Sequence, residues 1–259
     1  MQFAIISRGD PLSETKKKEA IQRLLIEGFS YNEQEPEVVI AIGGDGTVLH
    51  AFHTYKHRLD RSSFISYNTG HLGFYSDWDE LDSLLHALMR GKLVTVEYPL
   101  VNVNITNNKG LTVYLALNDF TIKGVKGSIQ VDVSLNGNYF ESFKGDGLCI
   151  SSPSGSTGYN KSLGGAIVHP SVEMLQLSEM ASINNRIYRT IGSSLIIPKH
   201  HGLTLIPKED SYILSVDHES YMTDDVQQVT CSVAKEKIKF LRARSFPFWN
   251  RVKEAFISL

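Results

Sequence analysis

The chain has 259 residues, 42% of them hydrophobic, with 26 Lys and Arg against 28 Asp and Glu for a formal net charge of −2. That content buries one large core or two smaller ones, two domains being expected, and the near-neutral charge excludes a general nucleic-acid or polyanion binder, so that any phosphate site must be local. No stretch approaches membrane-spanning length, the amino-terminal apolar run is too short for a signal peptide, and Cys149 and Cys231 lack metal-ligand spacing; a cytoplasmic protein with reduced thiols and no membrane partner is expected.

Residues 3–7 read as a first strand, and Ser13 is placed to cap a helix in which Ala20, Ile21, Leu24 and Leu25 recur at helical spacing. Arg8-Gly9-Asp10 between them matches a cell-adhesion tripeptide but is read as a strand-end turn. The uninterrupted apolar run Val38-Val39-Ile40-Ala41-Ile42 then predicts a buried parallel strand, and Gly43, Gly44 and Gly46 mark a sharp turn at its end, followed at once by a helix. Such a turn lets the backbone approach a ligand, and the helix start offers amide groups and a positive dipole end to phosphate, with Thr47 as a cap or a phosphate-oxygen ligand.

A carboxylate among those glycines is costly beside phosphate, so Asp45 requires a reason. One reading is a turn residue or helix cap. The other is a general base that takes a proton from an attacking hydroxyl during phosphoryl transfer. The dinucleotide fingerprint is excluded, because Leu49 stands where its third glycine belongs. In the following helix Val48, Phe52, Tyr55 and Leu59 share one face while His50, His53 and His57 gather on the other, read as a solvated stripe rather than a metal site.

Residues 64–67 predict a further strand, leading into Asn68-Thr69-Gly70-His71-Leu72-Gly73-Phe74-Tyr75, a second glycine loop of the kind that borders a ligand crevice in an open α/β sheet. Phe74 and Tyr75 there either stack on a base or fill the core. A helix over 79–90 stops at Gly91. Beyond it the period becomes alternating: Val94, Val96, Tyr98, Val101, Val103 and Ile105; Val113, Leu115 and Leu117; Ile129, Val131, Val133 and Leu135. Asn136-Gly137 has type I′ hairpin character, and apolar runs at 195–197, 203–206 and 212–216 extend the pattern, so a β-sandwich second domain is expected. Phe248, Trp249, Val252 and Phe256 predict a short amphipathic helix returning to the first domain. The expected division is 1–98 with 246–259 as the α/β domain, and 99–245 as the β domain.

The densest motif spans 143–170, with Lys144-Gly145-Asp146-Gly147 and then Ser151-Ser152-Pro153-Ser154-Gly155-Ser156-Thr157-Gly158-Tyr159-Asn160-Lys161-Ser162. So many small hydroxyl and glycine residues suit a sugar-phosphate ligand or, alternatively, form a long surface loop. G-x-S-x-G is absent and Lys161-Ser162 follows Asn160 rather than glycine, so neither a serine nucleophile nor a Walker A motif is present.

Gly43-Gly44-Asp45-Gly46-Thr47 looks like the GGDGT signature shared by NAD kinases, diacylglycerol and sphingosine kinases and, more remotely, phosphofructokinases. With the loop 69–75, Asn118-Asp119, Gly145-Asp146-Gly147, the Pro-Ser-Gly-Ser-Thr stretch, Ala181-Ser182-Ile183-Asn184 and Asp217-His218, the whole chain resembles a bacterial NAD kinase of the Gram-positive type. The resemblance implies a Rossmann- or phosphofructokinase-like α/β domain plus an all-β sandwich, with NAD in the cleft and a homotetramer. It implies transfer of the γ-phosphoryl group of ATP, or of another donor, to the adenosine 2′-hydroxyl of NAD, with Mg²⁺ accompanying the donor and no metal site of the protein's own. Asp45 would be the base, and Gly43, Gly44, Gly46 and Thr47 would bind phosphate. Phe74, Tyr75, Asn118, Asp119, Ser154, Thr157, Tyr159, Ala181 and Ile183 would line the adenine and ribose sites, with Gly46, Lys144, Gly158 and His218 also at substrate. Asp146 and Ser162 would lie near the nicotinamide end. Three positions depart from the family's pattern: Asp119 stands where Glu is usual, Gly158 where Ala is usual and Lys144 where Arg is common. These shorten a reach, loosen a backbone and remove a bidentate fork. A lipid or sphingoid-base kinase finds no amphipathic or basic membrane-facing segment to support it. A non-catalytic NADP-binding sensor is opposed by the intact Asp45.

Overall fold

The computed structural model of the chain describes residues 1–70, 73–243 and 248–258. His71 and Leu72 of the second glycine loop, and the first two residues of the expected segment 246–259, lie outside them. The elements are β1 (Gln2–Ser7), α1 (Pro11–Ile26), β2 (Ser30–Tyr31), β3 (Val38–Ile42), α2 (Asp45–Tyr55), β4 (Ser63–Tyr67) and α3 (Leu81–Met89). There follow β5 (Val94–Asn107), β6 (Gly110–Ala116), β7 (Asp119–Gly124), β8 (Ile129–Leu135), β9 (Asn138–Gly145), β10 (Gly147–Ser151), the single turn α4 (Tyr159–Ser162) and β11 (Met174–Met180). The chain ends with β12 (Leu195–Pro198), β13 (Leu203–Pro207), β14 (Ser211–Val216), β15 (Glu219–Asp224), β16 (Val226–Arg242) and α5 (Phe248–Phe256). Two compact units result: Met1–Glu97 with Ile238–Leu259, and Tyr98–Lys237.

In the first unit β2, β1, β3, β4 and the end of β16 stand in that order, each pair parallel. All five residues of β3 are buried, as an unbroken apolar run requires of a strand covered on both faces. Val48, Phe52, Tyr55 and Leu59 turn inward. α2 ends at Tyr55 and a 3-10 turn, Lys56–Arg58, follows, so His57 stands off the helix that carries His50 and His53. Ser13 is not the cap of α1. Asp10 is, its carboxylate accepting the N–H groups of Leu12 and Ser13 at 3.1 and 3.2 Å, because Ser13 already lies inside the first turn. From β1 the chain proceeds to β2 on one side, and from β3 to β4 on the other, so the carboxyl ends of β1 and β3 flank the point where the winding reverses.

In the second unit β5 and β6 form a hairpin attached to β16, which continues through β13 and β8 to β9, while a six-stranded antiparallel sheet runs β12, β11, β10, β7, β14, β15. One apolar cluster draws Val103, Val131, Leu205 and Val229 from the first set and Phe120, Ile150, Leu177 and Leu214 from the second, which makes the unit a sandwich. Asn136 (φ 50°) and Gly137 (φ 79°) both take the left-handed conformation of a two-residue I′ turn between β8 and β9. The alternation at 113–117 misleads: Val113 is 57% exposed, because β6 is an outer strand paired to β5. The motif at 143–170 is no surface loop either. It supplies the end of β9, all of β10 with every residue buried, and a 3-10 turn, Ser154–Thr157, whose first three residues are buried.

Candidate active site

Asp45 opens α2, yet its carboxylate caps nothing in that helix: the N-cap is Gly44 and no side chain caps it. Gly43 is required at the turn, since at φ 155° a β-carbon would be driven into the Thr47 hydroxyl. The Asp45 carboxylate instead reaches across to the second glycine loop, where Oδ2 accepts the Phe74 N–H at 3.0 Å and Oδ1 the Tyr75 N–H at 3.2 Å. The approach is so close that a β-carbon on Gly73 would lie 2.5 Å from Oδ1. Burial beneath this loop pushes the Asp45 carboxyl above its ordinary range, against the pull of the two backbone N–H groups and of Arg242 and Arg251. Burial raises the basicity of a carboxylate so placed, and the two N–H groups hold its oxygens in position.

Those two arginines, with Asp77, were not legible in the sequence as site residues. Arg242, 1% exposed, ends β16 and pairs with Asp77 at 2.8 Å while donating to the Phe74 carbonyl at 3.2 Å. Asp77 also accepts the Ala243 N–H at 3.0 Å, and Arg251 of α5 donates to the Gly73 carbonyl. Together they hold loop 73–75 over Asp45. Phe74 packs its ring on Phe256 (5.7 Å) and Phe248 (6.4 Å), and the buried Tyr75 ring stacks on Phe240 at 5.4 Å. In this unit the backbone of residues 74 and 75, rather than their rings, touches Asp45. Gly44, Gly46 and Thr47 meet Ser7, Arg8 and His50 around a crevice of about 270 Å³ at the ends of β1 and β3.

In the second unit Asn118 and Asp119 enter β7, beside Ser151 and Ser152 at the end of β10. Asp217, left-handed at φ 55° in the turn between β14 and β15, accepts the N–H groups of Leu117 (3.0 Å), Asn118 (2.6 Å) and Asp119 (3.2 Å). The neighbouring His218 is exposed. Asp119 is 7% exposed; burial, then the like charge of Asp217, push its carboxyl up to about 7 against the opposing Lys123. The backbone of Asn118 abuts the 3-10 turn, whose Ser154 hydroxyl is buried with no hydrogen-bond partner among the described residues. Thr157 donates to the Ser154 carbonyl at 3.3 Å, and Gly158 closes the turn on Gly155.

A third group gathers around the end of β11. Ala181 is left-handed (φ 45°), a strained state for a residue with a β-carbon. The Ile183 N–H donates to the Lys144 carbonyl at 2.7 Å and the Asp146 N–H to the Met180 carbonyl at 2.9 Å. The Tyr159 hydroxyl contacts Met180 Sδ at 3.6 Å, with Lys123 over its ring at 4.4 Å. Lys144 pairs with Glu209 at 3.4 Å. Ser162 ends α4, exposed, and joins none of these contacts.

A glycine turn opening a helix at the carboxyl edge of a parallel sheet, with a desolvated carboxylate beside it, belongs to a class of nucleotide-dependent phosphotransferases. The ATP-NAD kinase N-terminal domain model matches residues 10–93 and the ATP-NAD kinase C-terminal domain model residues 117–243. NAD kinase 1 of Bacillus subtilis is 49% identical over 262 residues, covering 99% of this chain and 98% of that protein; the NAD kinase of Geobacillus stearothermophilus is 49% identical over 261 residues, covering 99% and 96%. Among solved structures, yeast NADH kinase complexed with NADH superimposes with a TM-score of 0.86 at 18% identity, covering 100% of this chain and 89% of that one. An NAD kinase from Archaeoglobus fulgidus in complex with ATP gives 0.77 at 20% identity, covering 99% and 97%. The chain belongs to the NAD kinase family. It is an enzyme that phosphorylates NAD to NADP at the expense of ATP.

Proposed function

We propose that Asp45 is the general base of this reaction. The observation that carries the reading is a carboxylate, raised in basicity by burial, that leaves its own helix uncapped and is held in place by the N–H groups of Phe74 and Tyr75. Asp45 takes the proton of the adenosine 2′-hydroxyl; that oxygen bonds to the γ-phosphorus of ATP, the bond to the β,γ-bridging oxygen breaks, and ADP leaves with the electron pair. The amides of residues 44–46 and the α2 dipole stabilise charge on the transferring group. The crevice beside them supports a phosphate role for Gly44, Gly46 and the Thr47 hydroxyl, to which Gly43, its own N–H donated to the Tyr67 carbonyl at 2.9 Å, contributes the shape of the turn.

The second glycine loop is read as the wall of the adenosine site through Phe74 and Tyr75. In the β unit Asn118 and Asp119 hold the ribose hydroxyls, and the unpaired Ser154 hydroxyl, with Thr157, Gly158 and Tyr159, faces the same ligand. The strained Ala181, with Ile183, Lys144 and Asp146, serves the remainder of the dinucleotide, joined by Ser162 and His218. Functionally, 1–98 with 246–259 is read as carrying the phosphate turn together with Phe74 and Tyr75, and 99–245 as the NAD-binding domain. Magnesium is read as entering with the donor, as the Mg–ATP substrate. Exposed Leu111, Val113, Tyr139 and Ile187 on the β unit support assembly as a homotetramer, and two buried free thiols support a cytoplasmic setting.

The test is NADP formation by the purified protein from ATP, magnesium and NAD, read with an NADP-specific dehydrogenase. Loss of that product in Asp45→Asn, with NAD binding retained, is expected. Turnover surviving in the variant assigns the base elsewhere.

A further inference from the structure

We propose that Arg8 holds the terminal phosphates of the ATP donor and so positions the γ-phosphorus against the glycine turn; the proposal rests on reading residues 43–47 as the donor-phosphate site. The Arg8 N–H donates to the Ile42 carbonyl at 3.0 Å, which carries the β1–β3 ladder one residue past β1 and brings Arg8 level with the turn. Its β-carbon lies 3.1 Å from where one would stand on Gly43, and its Nη1 lies 3.7 Å from where one would stand on Gly70, past the end of β4. The side chain thus stretches along the carboxyl edge of the sheet from β1 toward β4. β1 and β3 are the two strands between which the winding reverses, where open α/β sheets place their ligand crevices.

The crevice is there, about 270 Å³, and of its described lining residues, Ser7, Arg8, Gly44, Gly46, Thr47 and His50, Arg8 carries the permanent positive charge. A triphosphate brought here must coexist with the Asp45 carboxylate one residue along the turn. In a chain of net charge −2 no diffuse basic field offsets that repulsion, so the compensation has to be local. Arg8 is also held in advance. Asp10, fixed as the N-cap of α1, engages its Nε at 2.8 Å, one of the five donors of the guanidinium, so the fork is oriented before ligand arrives. Bidentate contact with phosphate is what such a fork supplies and a lysine does not.

The experiment measures half-saturating ATP and NAD separately in the parent, Arg8→Ala, Arg8→Lys and Gly46→Asp, with inorganic tripolyphosphate as the probe of the phosphate site. Arg8→Ala is expected to raise half-saturating ATP about 10- to 100-fold, as loss of a charged hydrogen-bonding group implies, while NAD changes less than about threefold. Tripolyphosphate, competitive with ATP in the parent, weakens in parallel, and Arg8→Lys recovers part of the loss. Gly46→Asp places a second carboxylate in the turn and weakens ATP in its own right. An Arg8→Ala enzyme within twofold of the parent for ATP, or weakened equally for ATP and NAD, overturns the role of Arg8 if Gly46→Asp still impairs ATP. ATP binding indifferent to Gly46→Asp overturns the underlying reading of the turn. Should Arg8→Ala fold poorly, Arg8→Lys, which keeps a cation beside Asp10, decides by the same ratio: no shift in the ATP-to-NAD ratio overturns the proposal.

Discussion

Asp45 and Asp119 are both carboxylates raised by burial, but the two units treat them differently. Asp45 receives two backbone N–H groups and the fields of Arg242 and Arg251, so the protein supports its anion while withdrawing water. Asp119 faces a second carboxylate, Asp217, which takes the N–H group of Asp119 itself, and Lys123 opposes without overcoming the effect. The first environment raises a base while giving its two oxygens backbone donors. The second leaves a carboxyl poised between its forms near neutrality, able to accept hydrogen bonds from sugar hydroxyls when charged or to donate one when neutral. Burial raises both; the donors around each decide what the raised group can do.

The sharpest break of this contrast is Asp45→Asn. Removing the base is expected to lower turnover by about 10² to 10⁴. The amide can accept from only one of the Phe74 and Tyr75 N–H groups, so stability should also fall, by about 1 kcal/mol. A loss of that size cannot account for the rate effect. A fall in stability with turnover kept in the folded fraction would make Asp45 a brace for loop 73–75.

Arg242→Met comes next. It leaves the buried Asp77 with the longer Arg251 pair at 3.7 Å and the Ala243 N–H, so the cost is expected at or below the range of about 3 to 5 kcal/mol for removing one member of a buried pair. Because Arg242 pulls the Asp45 carboxyl downward, its loss should also move the acid limb of the turnover profile to higher pH. Chemical denaturation and a pH–rate series check the two halves. An unmoved limb would sever Arg242 from Asp45 and leave it a purely structural residue.

What the sequence disclosed and what it hid follow from the same physics. Periodicity marks a face, so β3, the α2 core face and the Asn136-Gly137 turn were legible, as was Asp45 from its glycines. The Asp10 cap was hidden behind an equally good capper three residues on. Val113 was misread because alternation does not say whether a strand lies inside a sheet or at its edge. Arg242, Asp77 and Arg251 carried no local signal, since a buried ion network closes between residues 165 or more positions apart. Asp217 was visible only as part of a resemblance; its role as acceptor for three successive N–H groups is a tertiary fact.

On the other side of the comparison, Asp119→Ala should raise half-saturating NAD by roughly tenfold or more, the loss of a charged hydrogen-bonding group being worth about 1.5 to 3 kcal/mol. Half-saturating ATP should change far less. Asp119→Glu is expected to stay within a few-fold of the parent. Titrating each substrate at saturation of the other decides it, and equal weakening of both would leave Asp119 as a residue that merely opens β7.

The smallest effect tests the poise of Asp119 directly. Its carboxyl is raised to about 7 in the fold, against roughly 3.9 in an unfolded chain. Between those values the folded state holds a proton that the unfolded state has released, so this group's contribution to stability is fully present below pH of about 4 and is lost as pH rises toward 7. The slope for one such group is about 1.4 kcal/mol per pH unit. Glu141, raised to about 7 by burial with Glu179 beside it, slopes the same way, so the parent alone cannot assign the effect. The difference between parent and Asp119→Asn can. Urea unfolding at pH 5 and pH 6 should show the parent losing about 1 kcal/mol relative to the variant over that step. Half-saturating NAD of the parent should also change across pH 7, while that of Asp119→Asn stays flat. A stability difference independent of pH would mean that Lys123 offsets the burial of Asp119 fully and that its carboxyl is not raised in the fold.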